Sequence, residues 1–482
     1  VSLPDLGGSV RLHALGHEEL AALSDVMRAF FGNLSRSSDH ELVSSWREDL
    51  HIESRVEPAI GRQAAREASR SGQSDRMITV STQLQRSDQG LRETIPLHEI
   101  RRILKRQLYH LLSQETGIHF PWGSLTGVRP SQIALEVLKR RGARGALEEL
   151  VDDWRLFPEK ARLILETAQA EESLLSRFEA DDCLLYVGLP FCPSRCLYCS
   201  FITQDAGRQS GSLKPYVQAV IREAQGVFRP DFDKKVRAIY YGGGTPTALP
   251  ASLLKPYMEA VIKAAPLASE PEMTMEAGRP DTIDKEKLDL IRRAGFHRLC
   301  INPQTMLDET LKRIGRHHSR QQTLEAFRLA RSMGFDDINM DLIAGLPGEE
   351  GPDLIQSLKE VIELGPEHIT LHSLAVKKGS YLDRLLLDRD LLLPDPRLIE
   401  AVQEAQDLLA RHGYRPYYLY KQKNCRSGLE NTGFTRREGS LYNVGMMSDQ
   451  VPVVGLGSGS TSKIILEQTA RRLHNPKDLL VY

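Results

Sequence analysis

The sequence predicts an α/β chain: a partial (β/α)6, TIM-like barrel over residues 181–380, a mixed α+β N-terminal domain over 1–180, and a small C-terminal covering domain over 381–482. Three observations predict it. The 482 residues exceed what one hydrophobic core organises, because chains beyond ~250–300 residues divide into domains. From Leu184 onward, short apolar runs alternate with amphipathic helical stretches. Three of the six cysteines fall within eight residues, just after the first of those runs.

The first 180 residues carry the weakest pattern. Met77–Val80 reads as a strand beside a polar run, Gly61 to Asp75, that reads as a loop. From Leu97 the apolar positions Leu97, Ile100, Ile103, Leu104, Leu108, Leu111 and Leu112 recur at three and four, the period of a helix. Arg101, Arg102, Lys105 and Arg106 decorate it and read as a solvated face rather than an anion site. Helical runs Gln132–Arg140 and Pro158–Phe178 follow.

The barrel strands are expected at Leu184–Phe191, Val236–Tyr241, Glu272–Ala277, Arg298–Gln304, Asp337–Leu342 and His368–Leu374. The helices between them are expected at Leu213–Val227, Leu253–Ala264, Lys287–Ala294, Gln321–Met333 and Asp353–Leu364. Strands alternating with helices imply parallel β-α units, with a doubly wound open sheet as the alternative architecture. Loops at the C-terminal strand ends then carry the chemistry. Beyond residue 380 come an acidic, Leu-rich connector (Leu382 to Leu393), a helix from Pro396 to Arg411, and a Tyr- and Gly-rich tail.

Composition narrows the function classes. The chain is 41% hydrophobic and 26% charged with net charge −1, so no strong field draws it to nucleic acid or an anionic membrane. No run of eighteen apolar residues predicts a membrane span. The opening Val1-Ser2-Leu3-Pro4-Asp5 lacks the regions of a signal peptide and an initiator Met, so a trimmed start and a cytoplasmic location are expected. Clustered cysteines in a chain this long read as a metal or redox site in a reducing compartment, not a disulfide framework.

The first strand runs into Cys192-Pro193-Ser194-Arg195-Cys196-Leu197-Tyr198-Cys199. Three thiolates on one loop can hold three irons of a cubane cluster and leave the fourth without a protein ligand, open to a substrate or cofactor. Zinc is the competing occupant, but it usually takes four Cys or His ligands, and no histidine lies between Gly123 and Arg292. Gly242-Gly243-Gly244-Thr245-Pro246 ends the second strand, where glycines let backbone approach a ligand with N–H and C=O groups available to it. Period-two alternation places Glu276 with Thr274, Asp341 with Asn339 and Ile343, and Gln304 with Asn302 and Cys300, each set on one strand face. A strand carboxylate is costly unless it faces a lumen and meets a partner, which makes Glu276 and Asp341 candidate functional groups. His317 and His318 are adjacent and point apart, favouring surface or substrate contact over metal. His372 shares a strand face with Thr370, so a lumen-facing place is open to it, with a satisfied core histidine the favoured reading; Cys183 and Cys300 read as packed thiols and Cys425 as an incidental one.

The stretch Tyr186–Phe201 resembles the cluster loop of the radical S-adenosylmethionine superfamily, in particular the oxygen-independent coproporphyrinogen III oxidase family. The coproporphyrinogen dehydrogenase-like branch with its own N-terminal domain is suggested by Leu125-Thr126-Gly127-Val128-Arg129-Pro130, by Arg415–Asn424 and Leu429–Gly433, and by Gly455-Leu456-Gly457-Ser458-Gly459. The resemblance implies a 4Fe-4S cluster on Cys192, Cys196 and Cys199, the three residues at the centre of catalysis. It implies S-adenosylmethionine held by Tyr186, Tyr198, Gly243, Gly244, Thr245, Glu276, Gln304, Arg316 and Asp341, the last through ribose hydroxyls. The cofactor's amino and carboxylate groups would chelate the unique iron, and one electron would split its sulfonium to a 5′-deoxyadenosyl radical that takes a substrate hydrogen. A tetrapyrrole substrate and a reducing donor such as flavodoxin or ferredoxin follow as partners.

Two departures from the family pattern bear on subtype. The decarboxylating oxidases have a further cysteine where this chain has Phe201, as the heme-chaperone relatives do. Those chaperones carry a His-Asn…Tyr-Trp heme motif where this chain reads Leu441-Tyr442-Asn443-Val444-Gly445-Met446. Oxidative decarboxylation of coproporphyrinogen III propionates to vinyl groups is the favoured expectation. A heme-trafficking protein and a radical methyltransferase acting on a tetrapyrrole or other heterocycle are the alternatives. Arg129, Arg195, Arg415, Lys421, Lys423 and Lys463 are candidate partners for substrate carboxylates.

Overall fold

The computed structural model describes the chain apart from residues 1–7, 33, 47–48, 62–63, 66–67, 69–75, 86–88, 202–203, 378–379, 383–392 and 467–468. The loop expected over Gly61–Asp75 and the connector expected over Leu382–Leu393 lie largely outside the described residues. The chain divides into two compact units: Val1–Leu165 with Leu387–Ile399 and Lys423–Leu429, and Glu166–Leu386 with Glu400–Gln422 and Glu430–Tyr482.

The first unit is built on a six-stranded sheet of β1 (Gly8–Leu15), β2 (Ser35–Ser38), β3 (Glu41–Trp46), β4 (Leu50–Glu57), β5 (Met77–Leu84) and β6 (Gly90–Pro96), in the order β2-β3-β1-β4-β5-β6. Two helices, α1 (Leu20–Phe31) and α2 (Ile100–Thr116), supply the rest of its core, where Leu23, Phe30, Leu104 and Leu108 meet Val10, Leu12, Ile52 and Val80. Every apolar position that predicted α2 is buried. Its basic face is ion-paired rather than simply solvated: Arg101 meets Glu19, Arg102 meets Glu136, Lys105 meets Asp25 and Arg106 meets Glu93. Two further helices follow, α3 (Pro130–Asp152), kinked at Gly142, and α4 (Pro158–Leu175).

The second unit carries the β-α alternation. Strands β7 (Asp182–Leu189), β8 (Lys235–Gly243), β9 (Leu267–Glu276), β10 (Arg298–Cys300), β11 (Asp337–Ala344) and β12 (His368–Ser373) pair in sequential order and in parallel. Helices α5 (Ser210–Val227), α6 (Ala251–Ala264), α7 (Lys285–Arg293), α8 (Asp308–Arg313), α9 (Arg320–Ser332) and α10 (Gly351–Leu364) connect them. The strands read as near-continuous apolar runs because both faces are covered, as the almost wholly buried β7 illustrates. Local signals set the helix ends. Asp284 accepts from the Lys287 N–H, Ser319 and Gln322 form a reciprocal capping box, and Gly365 at φ 73° ends α10.

The tail does not stand apart as the expected covering domain. After α11 (Pro396–Arg411), β13 (Arg415–Lys421) and β14 (Glu430–Thr435) extend the sheet antiparallel beyond β12. On the other edge β15 (Val453–Leu456) pairs in parallel with β7, followed by the antiparallel β16 (Thr461–Leu466) and β17 (Thr469–His474). One eleven-stranded sheet results, in the order β13-β14-β12-β11-β10-β9-β8-β7-β15-β16-β17. The open edges of a six-stranded parallel sheet need partners for their N–H and C=O groups, and the tail supplies them. Glu272 on β9 ties α12 (Leu441–Met447) to this sheet, accepting from Ser440 Oγ and the N–H groups of Leu441 and Tyr442. That carboxylate sits where the helix N-terminal dipole favours it.

Candidate active site

The cysteine loop follows β7, and backbone bonds anchor it. Phe191-Cys192 bridges in parallel to Gln204-Asp205, the Leu197 N–H donates to Ile314 O, and Ser194 Oγ donates to Gly315 O. Cys192, Cys196 and Cys199 line one cavity of about 320 Å³. Burial pushes the Cys192 thiol up to about 12, with Cys196 and Cys199 adding to the rise and the 3.5 Å hydrogen bond from Thr245 Oγ1 opposing it. Burial also raises Cys199. Among the described residues no three His, Cys, Asp or Glu side chains converge as a single metal ion requires. Three thiols on one loop suit a cluster, in which each thiolate binds a different iron.

The glycine turn at the end of β8 forms the adjoining wall. A Cβ at Gly244 would come within 2.4 Å of Phe191 O, and one at Gly242 within 2.6 Å of Glu276 Oε2. Its N–H groups differ from expectation: Gly243 donates to Glu276 Oε2 at 3.2 Å, Gly244 to Leu189 O and Thr245 to Phe191 O. The turn therefore meets the cavity as Cβ-free surface rather than as a row of available donors.

The three alternation sets point into the same cavity. Glu276, Asp341, Asn339, Ile343, Cys300, Asn302 and Gln304 all line it, as do Tyr198 and Arg316. Burial, then the charge of Asp341, pushes the Glu276 carboxyl up to about 8, against the pull of the Gly243 N–H and Arg316. Asp341 goes the other way. Burial alone would raise it, but His372 at 3.5 Å and the Asn339 amide at 2.7 Å hold it below the usual carboxylate range. Two neighbouring carboxyls are thus set apart, one protonated near neutrality and one ionised. Strand β10 ends at Cys300, short of the expected Gln304, and Gln304 adopts φ 72°, a left-handed conformation costing about 1–2 kcal/mol for a residue with a Cβ. Its backbone bridges β11 through Asp341 O and the Ile343 N–H, which fixes the side chain toward the cavity. Tyr186 is not among the lining residues: its hydroxyl stands behind Gly243 and its ring stacks on Tyr240 at 6.5 Å.

Other expectations are revised. His372 lines the cavity, hydrogen-bonded to Asn431 Oδ1 at 3.2 Å, and Cys300 lines it beside the Tyr240 hydroxyl. His318 is buried, and desolvation with Arg316 and Arg279 pushes it down to about 3. Cys183 is buried as a packed thiol, and Cys425, read from sequence as an incidental loop cysteine, is buried too. None of the six cations singled out from sequence lines the cavity; Arg279, Arg298 and Lys377 do. Arg298 carried a readable signal, because its alternation with Cys300 puts it on the lumen face. Lys463 instead donates to the carbonyls of Gly445, Met446 and Ser448, closing the end of α12.

Among the described residues, three buried polar atoms of the cavity lining lack a partner: Asn302 Oδ1, Gln304 Oε1 and Arg316 Nε. Orphans of this kind are rare in folded interiors and concentrate where a ligand completes them. With three thiols and two carboxyls beside them, the donor set fits a polar, partly cationic cofactor held against an iron–sulfur cluster.

A three-thiol loop and a glycine turn at the C-terminal ends of adjacent strands in a parallel β-α sheet define a radical S-adenosylmethionine protein, and the Radical SAM superfamily model matches residues 186–361. The chain is 36% identical to the Bacillus subtilis oxygen-independent coproporphyrinogen-III oxidase-like protein HemZ, over 77% of this chain and 75% of that one. It is 31% identical to the Escherichia coli heme chaperone HemW over 48% of this chain and 60% of that one. Its fold matches the solved Escherichia coli coproporphyrinogen III oxidase HemN with a TM-score of 0.52 and 25% identity, over 65% of this chain and 71% of that one. The chain belongs to the oxygen-independent coproporphyrinogen III oxidase-like family of radical S-adenosylmethionine proteins, and its cofactors are a 4Fe-4S cluster and S-adenosylmethionine.

Proposed function

We infer that the chain oxidatively decarboxylates propionate side chains of coproporphyrinogen III to vinyl groups, giving protoporphyrinogen IX. The relative that aligns over 77% of the chain is named as coproporphyrinogen-III oxidase-like, whereas the aligned heme chaperone matches 48%. The observation that carries the enzyme reading lies at the position of the chaperones' heme motif. There Tyr442 stands in place of the histidine, buried with its ring 4.6 Å from Tyr240, and Asn443 donates to Tyr417, so that position presents packed side chains and no imidazole.

Cys192, Cys196 and Cys199 would hold the cluster, and Gly243, Gly244, Thr245, Tyr198, Glu276, Gln304, Arg316 and Asp341 the nucleotide, with Tyr186 supporting the glycine turn from behind. When bound, these groups supply one-electron chemistry that removes a hydrogen atom from an unactivated carbon. The chain's own residues do the rest. Asp341, kept ionised by His372 and Asn339, accepts from hydroxyl donors such as those of a ribose. Glu276, with its carboxyl near 8, gives up its proton when a cationic group arrives beside it. A substrate seated in the cavity would displace the water that otherwise enters it. Each propionate loses one hydrogen atom, carbon dioxide and one electron to become a vinyl group. A one-electron acceptor takes that electron, and a reduced donor of the flavodoxin or ferredoxin class primes each turnover.

The test is anaerobic incubation of cluster-loaded protein with S-adenosylmethionine, a reductant and coproporphyrinogen III. Monovinyl and divinyl products in the mass spectrum are expected. A tight stoichiometric heme complex without turnover would move the chain to heme trafficking, and methylated tetrapyrrole would make it a methyltransferase.

A further inference from the structure

Two ring–cation pairs lie beside the cysteine loop, one of them lining the cavity, and the chemistry already assigned uses neither. Phe201 lies two residues past Cys199 and is 56% exposed; Tyr381 is 44% exposed. Singly exposed rings need no explanation, but these are grouped with cations beside the cysteine loop, as apolar surface rimmed by polar groups at a contact site is. Each ring sits under a cation. Lys377 Nζ lies 5.9 Å from the centre of the Phe201 ring, and the Arg195 guanidinium 5.0 Å from that of Tyr381. The backbone fixes both pairs around the cysteine loop. Arg195 falls between Cys192 and Cys196, in a loop held by Arg279, which donates to Ser194 O and Oγ. The Leu382 N–H donates to Leu197 O, bringing Tyr381 over Arg195.

We propose that Phe201, Lys377, Arg195 and Tyr381 form the seat of the porphyrinogen macrocycle, the rings packing on its pyrrole faces and the cations pairing with propionates that stay outside the cavity. The assignment rests on the function inferred above and gives it a location. A macrocycle of four pyrrole rings with acidic arms calls for aromatic faces interleaved with ammonium and guanidinium groups. Phe201 and Lys377 also line the cavity that holds the three thiols. An occupant touching them can therefore send one side chain inward while its remaining acids stay at the rim. That geometry distinguishes a small-molecule seat from the docking face of an acidic electron-donor protein, which would meet the outer surface alone. The seat also gives a role to Phe201, the residue in place of the oxidases' additional cysteine.

The test separates binding from turnover. Cluster-loaded protein is titrated anaerobically with coproporphyrin III, the aromatised and unreactive form of the porphyrinogen, and binding is read from porphyrin fluorescence. Its tetramethyl ester serves as the uncharged comparator. Lys377→Ala and Arg195→Ala are each expected to weaken the acid about tenfold, and Phe201→Ala to weaken acid and ester alike. Porphyrin affinities are compared at equal cluster occupancy, read from cluster absorbance and iron content, so that a loss of cluster is not counted as a loss of the seat. Lys377→Arg should restore most of the loss from Lys377→Ala. Equal porphyrin affinity in parent and variants would overturn the seat while leaving decarboxylation standing. Failure of the parent to bind any porphyrin would overturn the seat and remove the tetrapyrrole from the function as well. Slower reduction by flavodoxin in the variants, with porphyrin affinity unchanged, would overturn the seat and reassign the surface to the donor.

Discussion

Glu276 offers a test that needs neither iron nor substrate. Its carboxyl is pushed up to about 8 from an ordinary 4.5, first by burial and then by Asp341, while the Gly243 N–H and Arg316 pull it back. In the unfolded chain the proton leaves near 4.5; in the fold it stays until about 8. Between those values the folded state binds the extra proton, so stability falls as pH rises across the window and levels off above it. The shift of about 3.5 units corresponds to an upper bound of about 5 kcal/mol at about 1.4 kcal/mol per unit. Because the carboxyl faces a cavity that water enters, screening reduces the expected effect to about 1–3 kcal/mol. Glu276→Gln keeps an acceptor for the Gly243 N–H and removes the ionisation. The metal-free variant should match the parent at pH 5 and exceed it by that amount at pH 9, read from thermal unfolding midpoints at both values. Parallel pH profiles for the two proteins would refute the reasoning that this carboxyl is held for a cationic ligand.

Three further outcomes are expected. Cys192→Ala, Cys196→Ala and Cys199→Ala should each abolish the visible absorption of the reconstituted cluster, whereas Cys183→Ala, Cys300→Ala and Cys425→Ala should retain it; iron analysis checks both sets. Asp341→Ala should weaken S-adenosylmethionine binding about tenfold to a hundredfold with the cluster intact, from loss of a charge-assisted hydrogen bond worth about 1.5–3 kcal/mol, as measured by calorimetry. Gly244→Ala, whose Cβ would meet Phe191 O at 2.4 Å, should lower stability by about 1–3 kcal/mol and displace the Thr245–Cys192 contact, visible as reduced cluster uptake.

The parts legible in the sequence were those set by local periodicity. The six parallel strands and the helices between them follow from apolar runs and 3.6-residue patterns, and period-two alternation placed Glu276 and Asp341 on the cavity face, whereas Asn302 and Gln304 reach it beyond the end of β10, where alternation no longer applies. The tail was less legible, because edge pairing is a long-range property. Nothing local in Val453–Leu456 says that it will lie beside β7, or in Glu430–Thr435 that it will lie antiparallel to β12. The same holds for the first unit, where β1 pairs in parallel with β4 and antiparallel with β3 across intervening elements. Within the site, Arg279 and Lys377 were missed because they lie on loops, where no alternation applies. His372 and Cys300 were read as core because a buried residue and a cavity-lining one share the same strand pattern. The N–H groups of the glycine turn were misjudged for a related reason: their acceptors, Leu189 O and Phe191 O, belong to another strand end.

The central claim is that this cavity performs radical chemistry on a propionate carbon, and isotope transfer tests it most directly. Reduced, cluster-loaded protein is given S-adenosylmethionine and coproporphyrinogen III deuterated at the propionate carbon next to the ring, and the recovered 5′-deoxyadenosine is weighed by mass spectrometry. The account predicts deuterium in the 5′-deoxyadenosine together with release of carbon dioxide. Cleavage of S-adenosylmethionine that the porphyrinogen accelerates, with neither deuterium transfer nor carbon dioxide, would contradict it.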